Sequence, residues 1–374
     1  MIWNKLLSQA EAIDTLRRSA AAGRMAHALL FVGLAGIGKR TAAQLLAASL
    51  LCQRVPENEL DACGECASCR MMQAGTHPDY LAVGCPEGKS ELPIELLVGS
   101  RENRGGEGLC HDLSLRPMVG RRRVAVIDDA DRMSNESANA LLKTLEEPPP
   151  YAVMVLIAAD SSKILPTIRS RCQTVRFMPL DASHVARLAT ELDWTEDPQE
   201  AQAVGALSGG SLTVAQQLLN PELRTLREAL FAALHHPTIP SFTVAQSVVG
   251  ALDGIGGDTQ RQRVNAQTVV RFLVDFFQDA LREWCVHSPA AVPSSLGATP
   301  SLPRPQETVE FIRRFPVGEP ETAEFVGRAI DRCIQAEEQL AGNVAIPLCL
   351  EALFSDLATL IDAANATGST SGRG

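Results

Sequence analysis

The stretch GLAGIGKRT, positions 33–41, constrains this chain more than any other. Gly33, Gly36 and Gly38 followed by Lys39 satisfy G-x-x-x-x-G-K. That spacing lets successive backbone N–H groups converge on a phosphate while the lysine adds a cation. Such a loop works between a buried strand and a helix. Both flanks are present: ALLFV at 28–32 follows a helical pattern over 13–28 and reads as a short strand, and RTAAQLLAASLLC at 40–52 is a breaker-free run for a helix. A glycine-rich turn with an incidental lysine is the competing reading, and the flanks oppose it. The pattern departs at one position. Arg40 stands where a Ser or Thr hydroxyl would ligand Mg²⁺, and Thr41 lies about 100° further around the helix. Binding of ATP/Mg²⁺ through Gly33, Gly36, Gly38, Lys39 and Thr41 is therefore separable from its hydrolysis.

The first half of the chain continues in alternation. VAVI at 124–127 lacks polar positions, as a buried parallel strand does, and ends in Asp128-Asp129. Asp128 is placed to hold Mg²⁺ through water. Asp129 stands where many ATPases use a glutamate to orient the attacking water, but it is one methylene shorter, a loss of about 1 Å of reach. The alternative for Asp129 is a carboxylate that caps the adjoining turn. Ser134 suits the N-cap of a helix with Ala138, Leu141, Leu142 and Leu145 on one face, stopped by the prolines at 148–150. A buried strand at 153–158, a short helix at 164–170 and a strand at 174–177 complete a doubly wound α/β domain. The polar stretch 86–108 reads as partly loop. After Pro179, small helices broken at Gly209-Gly210 fill 183–219, and long amphipathic stretches at 264–284, 322–340 and 346–363 indicate an all-helical region. Residues 287–305, rich in Pro, Ser and Ala, read as a linker or surface loop, and the small polar tail from 367 as disordered.

Ten cysteines in a cytoplasmic chain do not imply disulfides, so their spacing carries the information. Cys52, Cys63, Cys66 and Cys69 form C-x10-C-x2-C-x2-C, four thiolates able to enclose a structural Zn²⁺. An iron–sulfur run would need a fourth cysteine where Gln73 stands. Cys85, Cys110, Cys285, Cys333 and Cys349 are scattered and read as buried small apolar residues. A net charge of −10 argues against strong DNA binding by this chain alone. Apolar runs such as 153–159 fall far short of the roughly 20 residues of a membrane span. No membrane partner is expected. The N-terminus lacks the apolar core of a signal peptide, which makes the cytoplasm the expected compartment. A length of 374 residues fits two or three domains.

LPTIRSRC at 165–172 places two arginines beside the last strand of the α/β region. An arginine there either pairs with its own surroundings, as most do, or reaches a γ-phosphate held by a neighbouring subunit, as an arginine finger does.

With these residues assembled, the chain resembles the clamp-loader branch of the AAA+ ATPases. HALLFVGLAGIGKRTAA at 27–43, CGECASCRMMQAGTHPDY at 63–80, VAVIDDADRMSNESANALLKTLEEPP at 124–149 and LPTIRSRCQTVRF at 165–177 carry the resemblance, with a weaker match at 342–357. It implies an α/β P-loop core at 1–178 with a zinc insertion at about 52–80, a helical lid at 179–220, a helical collar at 221–366 and a tail at 367–374. It further implies a hetero-pentamer with gamma/tau and delta subunits of DNA polymerase III, meeting the sliding clamp and primer-template DNA through the complex. Ser170-Arg171-Cys172 would then be the trans-acting SRC motif, with Arg171 as the finger. Arg40, Asp129 and Thr213, which replaces the lid's sensor arginine, suit a stator with weak or absent hydrolysis. The competing assignment is a self-sufficient gamma/tau-type motor, which these departures and the lack of a long basic C-terminal extension oppose.

Overall fold

The computed structural model describes residues 2–86, 89, 91–236, 239–256, 259–287, 306–315, 320–342 and 344–368. They form two compact units, one of residues 1–193 with 208–213, the other of 194–207 with 214–374.

The first unit is built on α1 (Ala10–Ala21), β1 (Ala28–Val32), α2 (Lys39–Leu51), α3 (Ala67–Gln73), β2 (Tyr80–Val83), α4 (Glu95–Val98), α5 (Leu109–Ser114), β3 (Arg123–Ile127), α6 (Asn135–Glu146), β4 (Ala152–Ala158), α7 (Pro166–Arg169), β5 (Gln173–Arg176) and α8 (Ala182–Glu191). Its five strands make one parallel sheet in the order β2-β3-β4-β1-β5. Parallel neighbours need helical crossovers, which cover both faces and make β1, β3 and β4 buried at every position. This is the physical reason those strands read as unbroken apolar runs. On one face Ala43, Leu46 and Ala47 of α2 are wholly buried; on the other, Leu97, Leu113 and Leu141 join the core of Leu30, Ile127 and Leu156. Because the strands run parallel, the β1 and β3 exits lie at the same carboxyl end of the sheet, where ligands of open α/β sheets bind.

The helical pattern read over 13–28 ends earlier than expected, at Ala21, because Gly23 turns the chain with φ +65°. Ser134 caps α6 by accepting the Ser137 N–H. The edge strand β2 and the short helices α3 and α5 have no counterpart in the sequence reading. β2 is four residues long and mostly half-buried, too short and too mixed to announce itself.

The second unit contains α9 (Pro198–Leu207), most of α10 (Leu212–Leu218), α11 (Pro221–His235), α12 (Ser241–Ile255), α13 (Thr259–His287), α14 (Gln306–Ile312), α15 (Pro320–Ala341) and α16 (Ile346–Gly368). Its core is aromatic: Phe276 meets Phe231, Phe277 and Phe311 at centroid distances of 4.9, 5.5 and 5.1 Å. The buried Arg227 guanidinium lies 4.2 Å over the Phe231 ring. Among the scattered cysteines Cys333 and Cys349 are buried as expected, whereas Cys85 and Cys110 are only half-buried and Cys285 is exposed on α13. The linker reading at 287–305 lies, past His287, outside the described residues, as does the tail beyond Gly368. No described helix is long and apolar enough to cross a membrane.

Candidate functional site

The loop between β1 and α2 takes the conformation its glycines permit. Gly36 and Gly38 have φ of +72° and +95°, in the left-handed region. At Gly36 a Cβ would also lie 2.4 Å from the Thr213 nitrogen, so the loop passes hard against the segment 211–213. Every carbonyl of the loop is tied back. Lys39 Nζ donates to the Gly33 and Leu34 oxygens, Ser211 Oγ to Ala35 (2.8 Å), Leu212 N to Gly36 (3.2 Å), Gln9 Nε2 to Ile37 (3.3 Å) and Ala42 N to Gly38 (2.9 Å). The amides of Gly36, Gly38, Lys39 and Arg40 meet no acceptor among the described residues. The result is an electropositive nest at the N-terminus of a 13-residue helix. Lys39 itself is buried, and burial lowers its pKa against the pull of Asp131, Asp128 and Asp129. Thr41 is exposed on α2.

Gln9 is 2 % exposed and was not singled out in the sequence. Besides Ile37, its amide donates to the Met178 oxygen (2.7 Å) and accepts from the Met178 nitrogen (3.0 Å), which ties the loop to the β5 exit. Nothing in its sequence context marks it.

The acidic run after β3 divides its work. Asp128 Oδ2 pairs with Arg40 Nε at 3.4 Å, and Oδ1 accepts the Asp129 N–H at 3.1 Å. Asp131 Oδ2 accepts the N–H groups of Ala159 and Asp160, both at 3.0 Å, and so anchors the β4 exit. Asp129 has φ +52°, and burial, with Asp128 beside it, pushes its carboxyl above the usual range. These residues do not suit Mg²⁺: no hydroxyl follows Lys39 in register, and both oxygens of Asp128 are engaged by the chain's own donors.

Arg171 lies just after α7, where the chain enters β5. Its Nη2 pairs with Glu146 Oε1 of α6 at 2.7 Å, and its Nη1 donates to the Thr167 oxygen at 3.0 Å and reaches Ser170 Oγ at 3.5 Å. The side chain remains 37 % exposed, so it is held from within the chain and still open to solvent. Glu146, in the quoted LEEPP run, was not marked as functional by the sequence.

The four cysteines converge as their spacing implies. Their sulfurs lie within 4.8 Å of one another, with Cys52–Cys63 at 3.7 Å and Cys63–Cys69 at 3.9 Å. Zinc–sulfur bonds of about 2.3 Å in a tetrahedron give edges of about 3.8 Å, so the cluster fits a metal such as zinc. Backbone amides already point at three of the sulfurs: Val55 and Cys63 at Cys52, Cys66 at Cys63, and Cys69 at Cys66. Burial and the neighbouring sulfurs push Cys69 up to about 12. Binding a cation there would have to displace that proton. The four sulfurs leave no open position, so the ion would cross-link Cys52, just past the end of α2, to Cys63 and Cys66 before α3 and to Cys69 within it.

THPDY, quoted above only as sequence, folds into a polar node beside this cluster. His77 Nε2 meets Ser68 Oγ at 2.5 Å, and its Nδ1 accepts the Asp79 N–H at 3.0 Å, which fixes the neutral ring with its proton on Nε2. The wholly buried Asp79 accepts the N–H groups of Met118 (2.7 Å), Val119 (2.8 Å) and Gly120 (3.2 Å) and faces the buried Arg123 at 3.6 Å.

A parallel sheet with a phosphate loop after its first strand, an acidic run at the tip of its third and a four-cysteine insertion defines an AAA+-type core, followed by helices. Residues 8–181 match the family model for "DNA polymerase III, delta subunit". A DNA polymerase III subunit delta' of Pseudomonas aeruginosa is 39% identical over 204 residues, 54% of this chain and 58% of that protein. The subunit delta' of Escherichia coli is 34% identical over 229 residues, 61% of this chain and 64% of that protein. A subunit tau/gamma of Haemophilus influenzae is 32% identical over 222 residues, 57% of this chain and 30% of that protein. Over its first half the chain is similar to DNA polymerase III delta' subunits. The aligned regions span 58% and 64% of those delta' relatives.

Proposed function

We propose that this chain is the delta'-type stator of a clamp loader: it supports ATP-dependent loading of a sliding clamp onto primed DNA without turning over ATP itself. In this reading it assembles with gamma/tau-type and delta-type subunits in a hetero-pentamer, and Arg171 completes the ATP site of a neighbour. The arrangement of domains would be a core at 1–178 with the zinc insertion, a lid at 179–220 and a collar at 221–366. The single observation that carries the reading is a contrast within one unit. The chain's own acidic site is closed, with Asp128 paired to Arg40, while Arg171 stays solvent-accessible on a fixed support. Asp128 and Asp129 are then vestiges of a hydrolytic site. Gly33, Gly36, Gly38 and Lys39 form the retained loop, and Cys52, Cys63, Cys66 and Cys69 hold a structural zinc.

The test is reconstitution with gamma/tau and delta partners, followed by clamp-stimulated ATP turnover. An arginine finger is worth about 10³-fold or more at the site it serves. Arg171→Ala should therefore silence the neighbouring site, and Arg171→Lys should rescue little, because a single ammonium cannot reproduce the planar fork. Unchanged turnover with Arg171→Ala in an intact assembly sinks the assignment.

A further inference from the structure

We infer that a metal held by Cys52, Cys63, Cys66 and Cys69 pins residues 2–9 to the first unit through Leu60 and Asp61, so that its loss frees Trp3 while the sheet stays folded. The inference rests on the structural-zinc reading and extends it to the residues that precede α1. Residues 53–62 run between two of the four sulfurs, those of Cys52 and Cys63. Inside that loop a short turn, Glu57–Glu59, leads into Leu60, whose φ of +46° lies in the left-handed region although it is not a glycine. Such a backbone persists only where its surroundings over-determine it. Leu60 is wholly buried, its amide donates to the Glu57 oxygen at 3.2 Å, and its own oxygen accepts the Trp3 Nε1–H at 2.7 Å. Asp61 Oδ1 accepts the Ile2 N–H at 3.0 Å. Trp3 is 2 % exposed, and its indole bond is sheltered from water. From Trp3 the segment runs on to the loop after β1: a Cβ on Gly38 would lie 2.8 Å from Leu6 Cδ1, and Gln9 donates to the Ile37 oxygen at 3.3 Å.

Charge and loop closure make this arrangement depend on the metal. Four sulfurs within 4.8 Å of one another attract a shared cation; without it they are thiolates that repel or thiols that bind one another weakly. The two ends of residues 53–62 then part, and the ordering that closure gave the loop is lost. Glu57 keeps its forked pair with Arg122, at 3.0 and 2.7 Å, which holds the middle of the loop at the entry of β3. The acceptors for Trp3 and Ile2 lie on the other side of that hold, next to Cys63, and move with it.

The experiment treats the full chain, loaded with zinc and kept reduced, with lysyl endopeptidase in the presence and absence of a chelator. Cutting after the exposed Lys5 is followed by mass spectrometry and reports the opened fraction of the segment. Chelation should speed that cut at least about tenfold and shift tryptophan emission to the red, and added Zn²⁺ should reverse both. Far-UV circular dichroism should hold steady throughout. Trp3→Phe, which lacks the indole donor, should be cut faster with metal bound and respond less to chelation, and its emission, now from Trp194 and Trp284, should not shift. Unchanged cutting and emission after metal removal, a response of Trp3→Phe equal to that of wild type, or collapse of the far-UV signal on chelation would each overturn the inference. Metal analysis of the purified chain separates the two readings: absence of bound zinc would sink the zinc reading and the inference with it, whereas the three results above leave bound zinc standing.

Discussion

Arg171 shows how much a role depends on one contact. A guanidinium has five N–H donors. Two of its groups are committed to Glu146, Thr167 and Ser170, and the remaining N–H donors are available to an incoming phosphate. Glu146 sits at the C-terminal end of α6, where the helix dipole disfavours a carboxylate. In the arginine-finger reading proposed above, its part is to aim Arg171. As an ion pair between half-open side chains it contributes no more than about 1 kcal/mol to stability. Glu146→Ala is therefore expected to leave the thermal midpoint nearly unchanged while lowering clamp-stimulated turnover of the reconstituted assembly by about tenfold. Glu146→Gln, which keeps an acceptor oxygen, should recover part of the loss. Full turnover with Glu146→Ala would show that the arginine needs no such support. The sequence pointed to Arg171 through its SRC context, yet Glu146 lies 25 positions away and only the α6–α7 packing brings them together.

At the scale of elements, the node of His77, Asp79 and Arg123 fastens three pieces of the first unit. Ser68 of α3 reaches His77, Asp79 precedes β2, and Arg123 opens β3 and donates to the Asp112 and Pro78 oxygens. Three amide donors hold the Asp79 carboxyl below its ordinary range against the opposing effect of burial. Removing it by Asp79→Ala strands a buried arginine and should cost about 3–5 kcal/mol, read from denaturant unfolding. Burial lowers the His77 pKa below 6.5, so the unfolded chain binds a proton that the folded one refuses. Stability is then full above about pH 6.5 and falls as the pH drops below it. The thermal midpoint should decline from pH 7.5 to 5.5, with a shallower decline in His77→Gln; identical slopes would remove His77 as the cause. The Asp79 contribution is lost only lower, as the pH falls through the carboxylate range.

The legibility of these elements follows their burial. β1, β3 and β4 are covered on both faces and announced themselves as apolar runs; β2, at the sheet edge, did not. The phosphate loop and the cysteines were legible because their chemistry is local in sequence. Gln9, Ser211 and Glu146 were not, because each acts on a partner far along the chain.

At the scale of the whole molecule, charge limits what the chain does alone. Its 34 basic and 44 acidic residues leave a net −10, and several arginines at or near the candidate sites are paired with carboxylates: Arg40 with Asp128, Arg122 with Glu57, Arg123 with Asp79 and Arg171 with Glu146. Non-specific DNA binding needs a set of lysines and arginines free to displace counterions from successive phosphates, and each such contact steepens the salt dependence. With those four arginines spent on the chain's own carboxylates, few are left at these sites to form such a set. In the stator reading DNA is met by the assembled ring, and this subunit contributes geometry and one arginine. The isolated chain should therefore show no binding to a fluorescent primed duplex at protein concentrations of about 10 μM in about 0.15 M salt, measured by anisotropy. Adding the gamma/tau and delta partners with ATP should create binding that the lone chain lacks. Tight, strongly salt-dependent binding by the isolated chain would instead mean that its paired arginines are released to phosphates, and the division of labour proposed for the ring would have to be redrawn.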